Sequence, residues 1–408
     1  MKREARYKKP LTGPTIQKIE INEKNKGRRL LAAVLFLALG AATIAYGFLQ
    51  LVTGSSGWQE IEANSGQVTA AEDFVLSYNL GAAGAAASVE SRALTRLYTD
   101  AARMAYCLFT ADEEIEGVSN VWAVNRHPNE ELTVDPALYA AFRLVQASGD
   151  RTLYLAPAYE LYDDVFLAVD DAYARELDPR YNADMAAYFS RVAAYANDPD
   201  SIDVELLDNS RIRLKVSAEY LAYAGENDIE RFIDFAWMKN AFIADYLAER
   251  LMGEGYTLGS LSSLDGFTRS LGDGISFSLN LYDKGVPAAV LTYDQATATV
   301  TLRGYPAGNT DALRFYLYRD GEIRTPYLGA DGLDHAAMDD LTAYSREQGC
   351  AAILLSLIPA YVRDTPDTAA LKSLADHGIY ALWCEDNSIH HTEAEATLTD
   401  VNPAYTTQ

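Results

Sequence analysis

Residues 30–52 run for 23 positions without a charge, and the charge balance inverts across them. The 29 residues before the run hold ten Lys/Arg and three Asp/Glu, whereas the 356 after it hold 24 and 55. At about 1.5 Å per residue, a helix over this run spans roughly 34 Å, enough for a bilayer's hydrocarbon core. Lys24, Lys26, Arg28 and Arg29 crowd its start, and positive charge is retained on the cytoplasmic side. The pattern predicts one transmembrane helix, a cytoplasmic N-terminus and an extracytoplasmic body at the cell membrane. The run is longer than the apolar stretch of about 7–15 residues in cleaved signal peptides. A buried core helix of this length would show polar residues on a water-facing side.

Beyond residue 52 the net charge is −31. Such a body repels phosphate backbones, which argues against nucleic acid as a partner. Most of these carboxylates read as solvated surface. Cys107, Cys350 and Cys384 form no CxxC and no metal-ligand spacing, and read as small buried apolar side chains. His390-His391 with Glu393 is the nearest thing to a ligand cluster, set among polar residues near the C-terminus.

The expected organisation is a basic tail over 1–29, the span over 30–52, a linker over 53–69, a folded domain over 70–393 and a polar tail over 394–408. Residues 74–80 (FVLSYNL) read as a strand, followed by a long helix to about Phe109 with Val89, Leu94, Leu97, Ala101, Met104 and Leu108 on one face. Ser88 is the expected cap of that helix. Asp135-Pro136 opens another helix, with proline at its first position. Further helices are expected over 157–175 and 182–196. Alternation over 202–207 and 212–216 around Asp208-Asn209-Ser210 predicts a hairpin. Strands are expected over 274–282, 286–293, 297–303, 312–318 and 379–384, and helices near 335–348 and 367–376. The apolar run 350–357 suits a buried strand or a buried helix. Helices gather early and strands late, which predicts an α+β domain.

The most informative soluble segment is 232–245 (FIDFAWMKNAFIAD). Asp234 stands in an apolar run, where a carboxylate must be paired or hydrogen-bonded. Lys239 is the nearest cation in sequence. If 234–245 is one helix, eleven residues place Asp234 and Asp245 on nearly the same face. The plainer reading makes Asp234 a cap and Asp245 a solvent-facing residue. Ser262-Ser263-Leu264-Asp265-Gly266 can offer turn amides to an anion. Asn125, in Val124-Asn125-Arg126-His127-Pro128, reads as a turn residue or as a ligand contact.

In this order the elements resemble the FAD:protein FMN transferase family, the ApbE-like proteins, over roughly residues 70–393. Ser77-Tyr78-Asn79-Leu80-Gly81 resembles the family's opening strand, and Val118-Ser119-Asn120 to Asn125 its Ser-containing segment. The family's diagnostic run is Asp-Leu-Gly-Gly-Ile-Ala-Lys-Gly-Tyr-Ala-Val-Asp. Asp234 and Asp245 keep its eleven-residue separation, Phe242 takes the aromatic place, and Asp265 falls near the Asp of a following Gly-Gly-Asp. Ala236 and Trp237 replace the paired glycines, and Lys239 is one residue out of register. Cys350 to Leu357 stands where the family has Ala-Asp-Ala-x-x-Thr, the source of its magnesium ligands, and contains no carboxylate. Leu155-Ala156-Pro157 replaces Phe-Asp-Pro.

The resemblance implies an ApbE-like α+β ectodomain with FAD and magnesium as cofactors. It implies catalytic roles for Asp234, Lys239 and Asp245, and cofactor contacts from Asn125, Asp265 and Gly266; it identifies no metal ligand. The implied activity is FMN transfer from FAD to a Thr or Ser hydroxyl of an exported acceptor protein, or flavin handling with that chemistry lost. The alternative is a protein- or glycan-binding envelope module on the same fold, the 27 tyrosines being compatible with sugar stacking.

Overall fold

A computed structural model describes residues 56–407, apart from 65, 67–68, 274–275, 308–313 and 394–396. The basic tail over 1–29 and the uncharged run over 30–52 lie outside the described residues. Among those described, no helix is long and apolar enough to cross a membrane.

A nine-stranded sheet organises the body. Its order is Gly57–Ile61, Phe74–Leu80, Gly259–Ser263, Phe267–Ser270, Ala298–Arg303, Asp340–Ser345, Ile379–Glu385, Ser388–His391 and Thr406–Thr407. Every pairing is antiparallel except the last. Leu76 faces Leu261 across one ladder, and Val300 sits between Phe267 and Ala343. These four side chains and Phe267 are almost wholly shielded from solvent, so the register is fixed by apolar partners that a one-residue slip would expose.

Helix Lys239–Gly253 packs against both Ala87–Phe109 and Cys350–Tyr361, and all three meet the sheet. Leu94, Tyr98, Ala101, Ala105 and Leu108 make the buried stripe of the first; Val89 and Met104, expected on it, are exposed. The helix has no side-chain cap, and Ala86 rather than Ser88 precedes it. Phe235 joins the layers, with ring centroids 5.3 Å from Phe109, 5.6 Å from Phe142 and 4.7 Å from Phe242. A second small sheet, Thr397–Thr399 with Val286–Tyr293 and Phe277–Asp283, has its own apolar cluster of Leu281, Ala289, Leu291, Tyr344 and Leu382. A third, Glu131–Thr133 with Arg211–Val216 and Ile202–Leu207, is the expected hairpin plus one strand. Asn209 and Ser210 turn it with positive φ. Asp135 caps Pro136–Ser148 by accepting from the Ala137 amide, as its Asp-Pro pair predicts.

Several expectations change. Residues 335–348 contain the strand Asp340–Ser345, buried at all six positions. A strand covered on both faces loses the alternation that would reveal it. Residues 350–357 fall in the helix Cys350–Tyr361. The 157–175 helix is two, Ala156–Phe166 and Asp171–Leu177. The expected linker contributes the edge strand Gly57–Ile61, and the expected C-terminal tail contributes Thr397–Thr399 and Thr406–Thr407.

Candidate functional site

The Asp234 segment leaves the helical layer as a turn, not as the start of one long helix. Asp234 Oδ1 accepts from the Ala236 amide at 2.9 Å, and the Asp234 amide donates to the Leu153 carbonyl. Ala236 has a φ of +46°, the left-handed region that favours glycine. The chain thus keeps a glycine-like conformation where the family motif has glycine. The turn Ala236–Met238 then feeds the helix Lys239–Gly253. This break in the helix is the reason Asp234 and Asp245 do not share a face.

A cleft of about 420 Å³ opens beside this turn, within the usual range for small-molecule sites. Asp234, Lys239 and Asp265 line it, together with Ala236 and Trp237. Tyr159, Glu160, Asp163 and Leu167 come from the helix Ala156–Phe166 and its end; Thr301 and Arg303 come from the sheet; Arg314, Phe315, Pro326 and Tyr327 close the other side. Trp237 is pinned as a wall. Its indole N–H donates to the Tyr159 hydroxyl at 2.8 Å, and its ring meets Tyr327 edge-on at 4.8 Å.

The three arginines of the cleft each face a carboxylate, and Glu160 and Asp163 add further acidic side chains to its lining. Arg231 bridges Asp234 at 3.1 Å and Asp112 at 2.5 Å. Arg303 faces Asp340 at 3.6 Å, and Arg314 faces Asp265 at 3.7 Å. Asn240, standing where the family motif has its lysine, donates its side-chain amide to Asp265 at 2.9 Å. Lys239 makes no ion pair within 4 Å among the described residues, but its charge acts on Asp163 across the same cleft. Burial, reinforced by the charge of Asp234, pushes the Asp163 carboxyl up to about 6, against the pull of Arg231.

The wall carrying Arg314 and Tyr327 is held by charges buried beneath it. Asp178 is fully buried, bound to Arg324 Nε at 2.6 Å and to the Tyr318 hydroxyl at 2.9 Å. Arg180 pairs with Asp334 at 2.7 Å, and Asp334 accepts from the Thr325 amide. This network ties residues 318–334 to the chain around 178–180. The sequence alone gave no sign of it, because its members lie about 140 residues apart.

Three of the expected site residues stand elsewhere. Asp245 lies outside the cleft: its carboxylate accepts from the Cys350 and Ala351 amides at 2.8 and 2.9 Å and pairs with Arg269 at 2.6 Å. From a neighbouring helix it caps the first two amides of Cys350–Tyr361, whose own N-cap residue, Gly349, has no side chain to do so. Asn125 is buried, accepts from the Phe232 and Ile233 amides, and donates to the Ile233 carbonyl, so it braces the turn from below. Gly266 sits beside Asp265 but outside the cleft lining, tight against the Thr301 carbonyl.

The residues present do not fit the magnesium that the family resemblance implies. The run Cys350 to Leu357, which the resemblance sets against the family's ligand segment, contains no carboxylate, and Cys350 at its start is fully buried against the carbonyls of Thr268 and Thr299. Burial, then the charge of Asp245, pushes its thiol well above its ordinary range, whereas a metal ligand must be a thiolate. Both oxygens of Asp245 are already engaged. No group of three or more His, Cys, Asp or Glu suited to a metal occurs among the described residues. His390 stacks on Trp383 and Glu393 pairs with Arg346, so these two do not converge. The three cysteines are free thiols.

No family model matches the sequence, and no curated protein does. Solved structures do match. The fold is similar to an ApbE protein from Thermotoga maritima, at 12% identity over 84% of this chain and 97% of that one, with a TM-score of 0.53. It is also similar to the flavin transferase ApbE from Vibrio cholerae, at 10% identity over 80% and 93% of the two chains, with a TM-score of 0.50. The fold is ApbE-like. At these identities the likeness establishes architecture and leaves the chemistry to the site itself.

Proposed function

We propose that this chain is an ApbE-like protein that binds a flavin nucleotide in the Asp234–Lys239 cleft without transferring it. The reading is carried by one contrast: the cleft is built and aromatic-walled, while the counterparts of the metal-binding and second-Asp positions serve as a helix start and its cap. Trp237, Tyr327 and Phe315 suit a planar ring system, and the surrounding polar groups suit its edges. Transfer from FAD calls for neutralising the pyrophosphate charge as the bond breaks, and the cap at Asp245 and the buried Cys350 thiol do not supply that.

The uncharged run and the inverted charge balance support an anchored protein with its cleft outside the cell membrane. The 27 tyrosines lend less to glycan stacking than their number suggests, since Tyr78, Tyr98, Tyr162, Tyr220, Tyr318 and Tyr361 are fully buried.

The test is to titrate the detergent-purified chain with FMN and FAD by flavin fluorescence, then incubate it with FAD, magnesium and exported Ser/Thr-containing acceptors. Flavin binding with no AMP release is expected. AMP release in step with acceptor flavinylation would restore the transferase reading, and no flavin response would remove the ligand.

A further inference from the structure

We propose that the end of the body at which the chain enters, formed by Trp58, the loop over 81–86 and Val89, lies on the outer surface of the bilayer, and that the cleft therefore opens away from the lipid. This placement rests on the anchored reading of residues 30–52 and is independent of what the cleft binds. Ser56 stands four residues past the uncharged run, so no more than about 15 Å of chain separates it from the run's end. Gly57 pairs with Leu80 on the neighbouring strand, and a Cβ on Gly81 would lie 3.5 Å from that of Ser56. The loop that follows Gly81 is thus held to the point of entry.

The surface at this end has the chemistry of an interface. Between Asp73 and Glu90 the chain carries no charge, and residues 82–86 are exposed throughout. Glu90 is turned inward, buried and accepting from the Gly81 amide, so it adds no charge to that surface. Val89 is 57% exposed in the first turn of Ala87–Phe109, and Trp58 is 48% exposed near the start of the edge strand. Apolar side chains left in water on either side of an uncharged loop gain from burial, and Trp is enriched where bilayer meets water. Arg92 and Arg96 follow Val89 at three and seven positions, on the same exposed face. Their apolar stems can lie along the surface with the guanidinium groups among headgroup phosphates. Glu60, an exposed acid on the edge strand, stands two residues farther from the entry. The cleft is at the other end of the same ladder: Phe74 pairs with Ser263, two residues before the cleft-lining Asp265. The six residues of strand from Leu80 to Phe74 put about 20 Å between the two ends, so the cleft's ligand arrives from water.

The experiment places a fluorophore on single cysteines of the full chain, reconstituted in phosphatidylcholine–phosphatidylglycerol vesicles that carry lipid nitroxides near the headgroup. Cys107→Ser and Cys384→Ser clear the background, and Cys350 is fully buried. The labelled sites are Ala83→Cys, Val89→Cys and, as control, Val169→Cys, which is 89% exposed two residues beyond the cleft-lining Leu167. Lipid nitroxide should quench the labels at 83 and 89 about twofold or more, as for groups set into the headgroup zone, and leave the label at 169 unchanged. Aqueous iodide should show the reverse order. Trp58→Asp with Val89→Asp should return the label at 83 to water without altering melting temperature, flotation with vesicles or flavin affinity. Labels at 83 and 89 as open to iodide as that at 169, in a chain that floats with vesicles and resists carbonate, would overturn the placement and leave the anchor standing. Labels shielded from iodide but not quenched by lipid, which means a protein partner or second copy covers the surface, would overturn it too, as would unchanged quenching in the double variant. A chain that does not float with vesicles would overturn the placement and the anchored reading together.

Discussion

Replacing Asp245 by alanine separates a structural cap from a site residue. The carboxylate receives two backbone amides, 105 and 106 residues ahead in sequence, at 2.8 and 2.9 Å, and pairs with Arg269 at 2.6 Å. Both members of that pair are largely shielded, with side-chain exposures of 16% and 18%. Losing the cap alone costs about 0.5–2 kcal/mol. Breaking a buried pair by removing one partner costs about 3–5 kcal/mol, because the other charge stays behind. These overlap in one carboxylate, so the expected loss is about 3–5 kcal/mol. For a body of this size that lowers the melting temperature by roughly 5–10 °C. Asp245→Asn keeps one acceptor and should lose less. The assay is urea or thermal unfolding of the purified chain, followed by FMN titration of the folded variant at a temperature well below its transition. FMN affinity should match wild type. A loss under about 1 kcal/mol, or weakened FMN binding at an unchanged melting temperature, would refute the cap and return Asp245 to the ligand.

Other substitutions test neighbouring parts of the same reasoning. A Cβ at Gly349 would fall 2.7 Å from Asp245 Cγ, so Gly349→Ala should push the carboxylate off its amides and lower the melting temperature through the same cap. Ala236→Gly should raise stability by about 0.5–1 kcal/mol, since a left-handed alanine costs about 1–2 kcal/mol and glycine's added freedom returns part of it; a lowered melting temperature would show that the φ of +46° is not strained. Asp178→Ala should cost about 3 kcal/mol by removing the fully buried partner of Arg324 Nε and of the Tyr318 hydroxyl, Arg324 keeping Glu322 through its other end, and should weaken FMN binding too, because the Tyr327 wall is tied to that pair. Burial pushes the Asp340 carboxyl up to about 7 from an ordinary 3.8, against the pull of Arg303. A folded-state value above the unfolded one gives stability that is full below 3.8 and lost as pH rises through 7. Wild type should therefore gain melting temperature relative to Asp340→Asn on going from pH 8 to pH 5, and parallel profiles would refute the assignment.

What could be read from the sequence was local. The hairpin over 202–216 and the helix opened by Asp135-Pro136 announce themselves because their turn and cap residues lie within a few positions of one another. Asp340–Ser345 was misread because its six buried positions remove the alternation that marks a strand. The site divided along the same line. Asp234, Lys239 and Asp265 reach the cleft, and the clues to the first two were a carboxylate in an apolar run and the cation beside it. Arg231, Arg314 and Tyr327 carried no local sign, and the backbone amides held by Asp245 and Asn125 lie more than 100 residues away.

The eleven-residue spacing from Asp234 to Asp245 does not make a shared site. The turn at Ala236 rotates the chain before the helix begins, so the two carboxylates diverge: one borders the cleft and the other fastens Cys350–Tyr361. Each is held by an arginine and by backbone amides. The same spacing can therefore serve to position a helix start, here one that presents a buried thiol. Installing metal chemistry here would need more than Cys350→Asp. The new carboxylate would enter a site walled by the Thr268 and Thr299 carbonyls, beside the charge of Asp245, with only Arg269 to offset it. A buried carboxylate placed so close to another raises its own pKa and resists ionising, so Cys350→Asp should destabilise the fold without creating magnesium affinity. Calorimetric titration of the folded variant with magnesium would read this directly, and tight binding would show that the cap at Asp245 yields more readily than its bonds suggest.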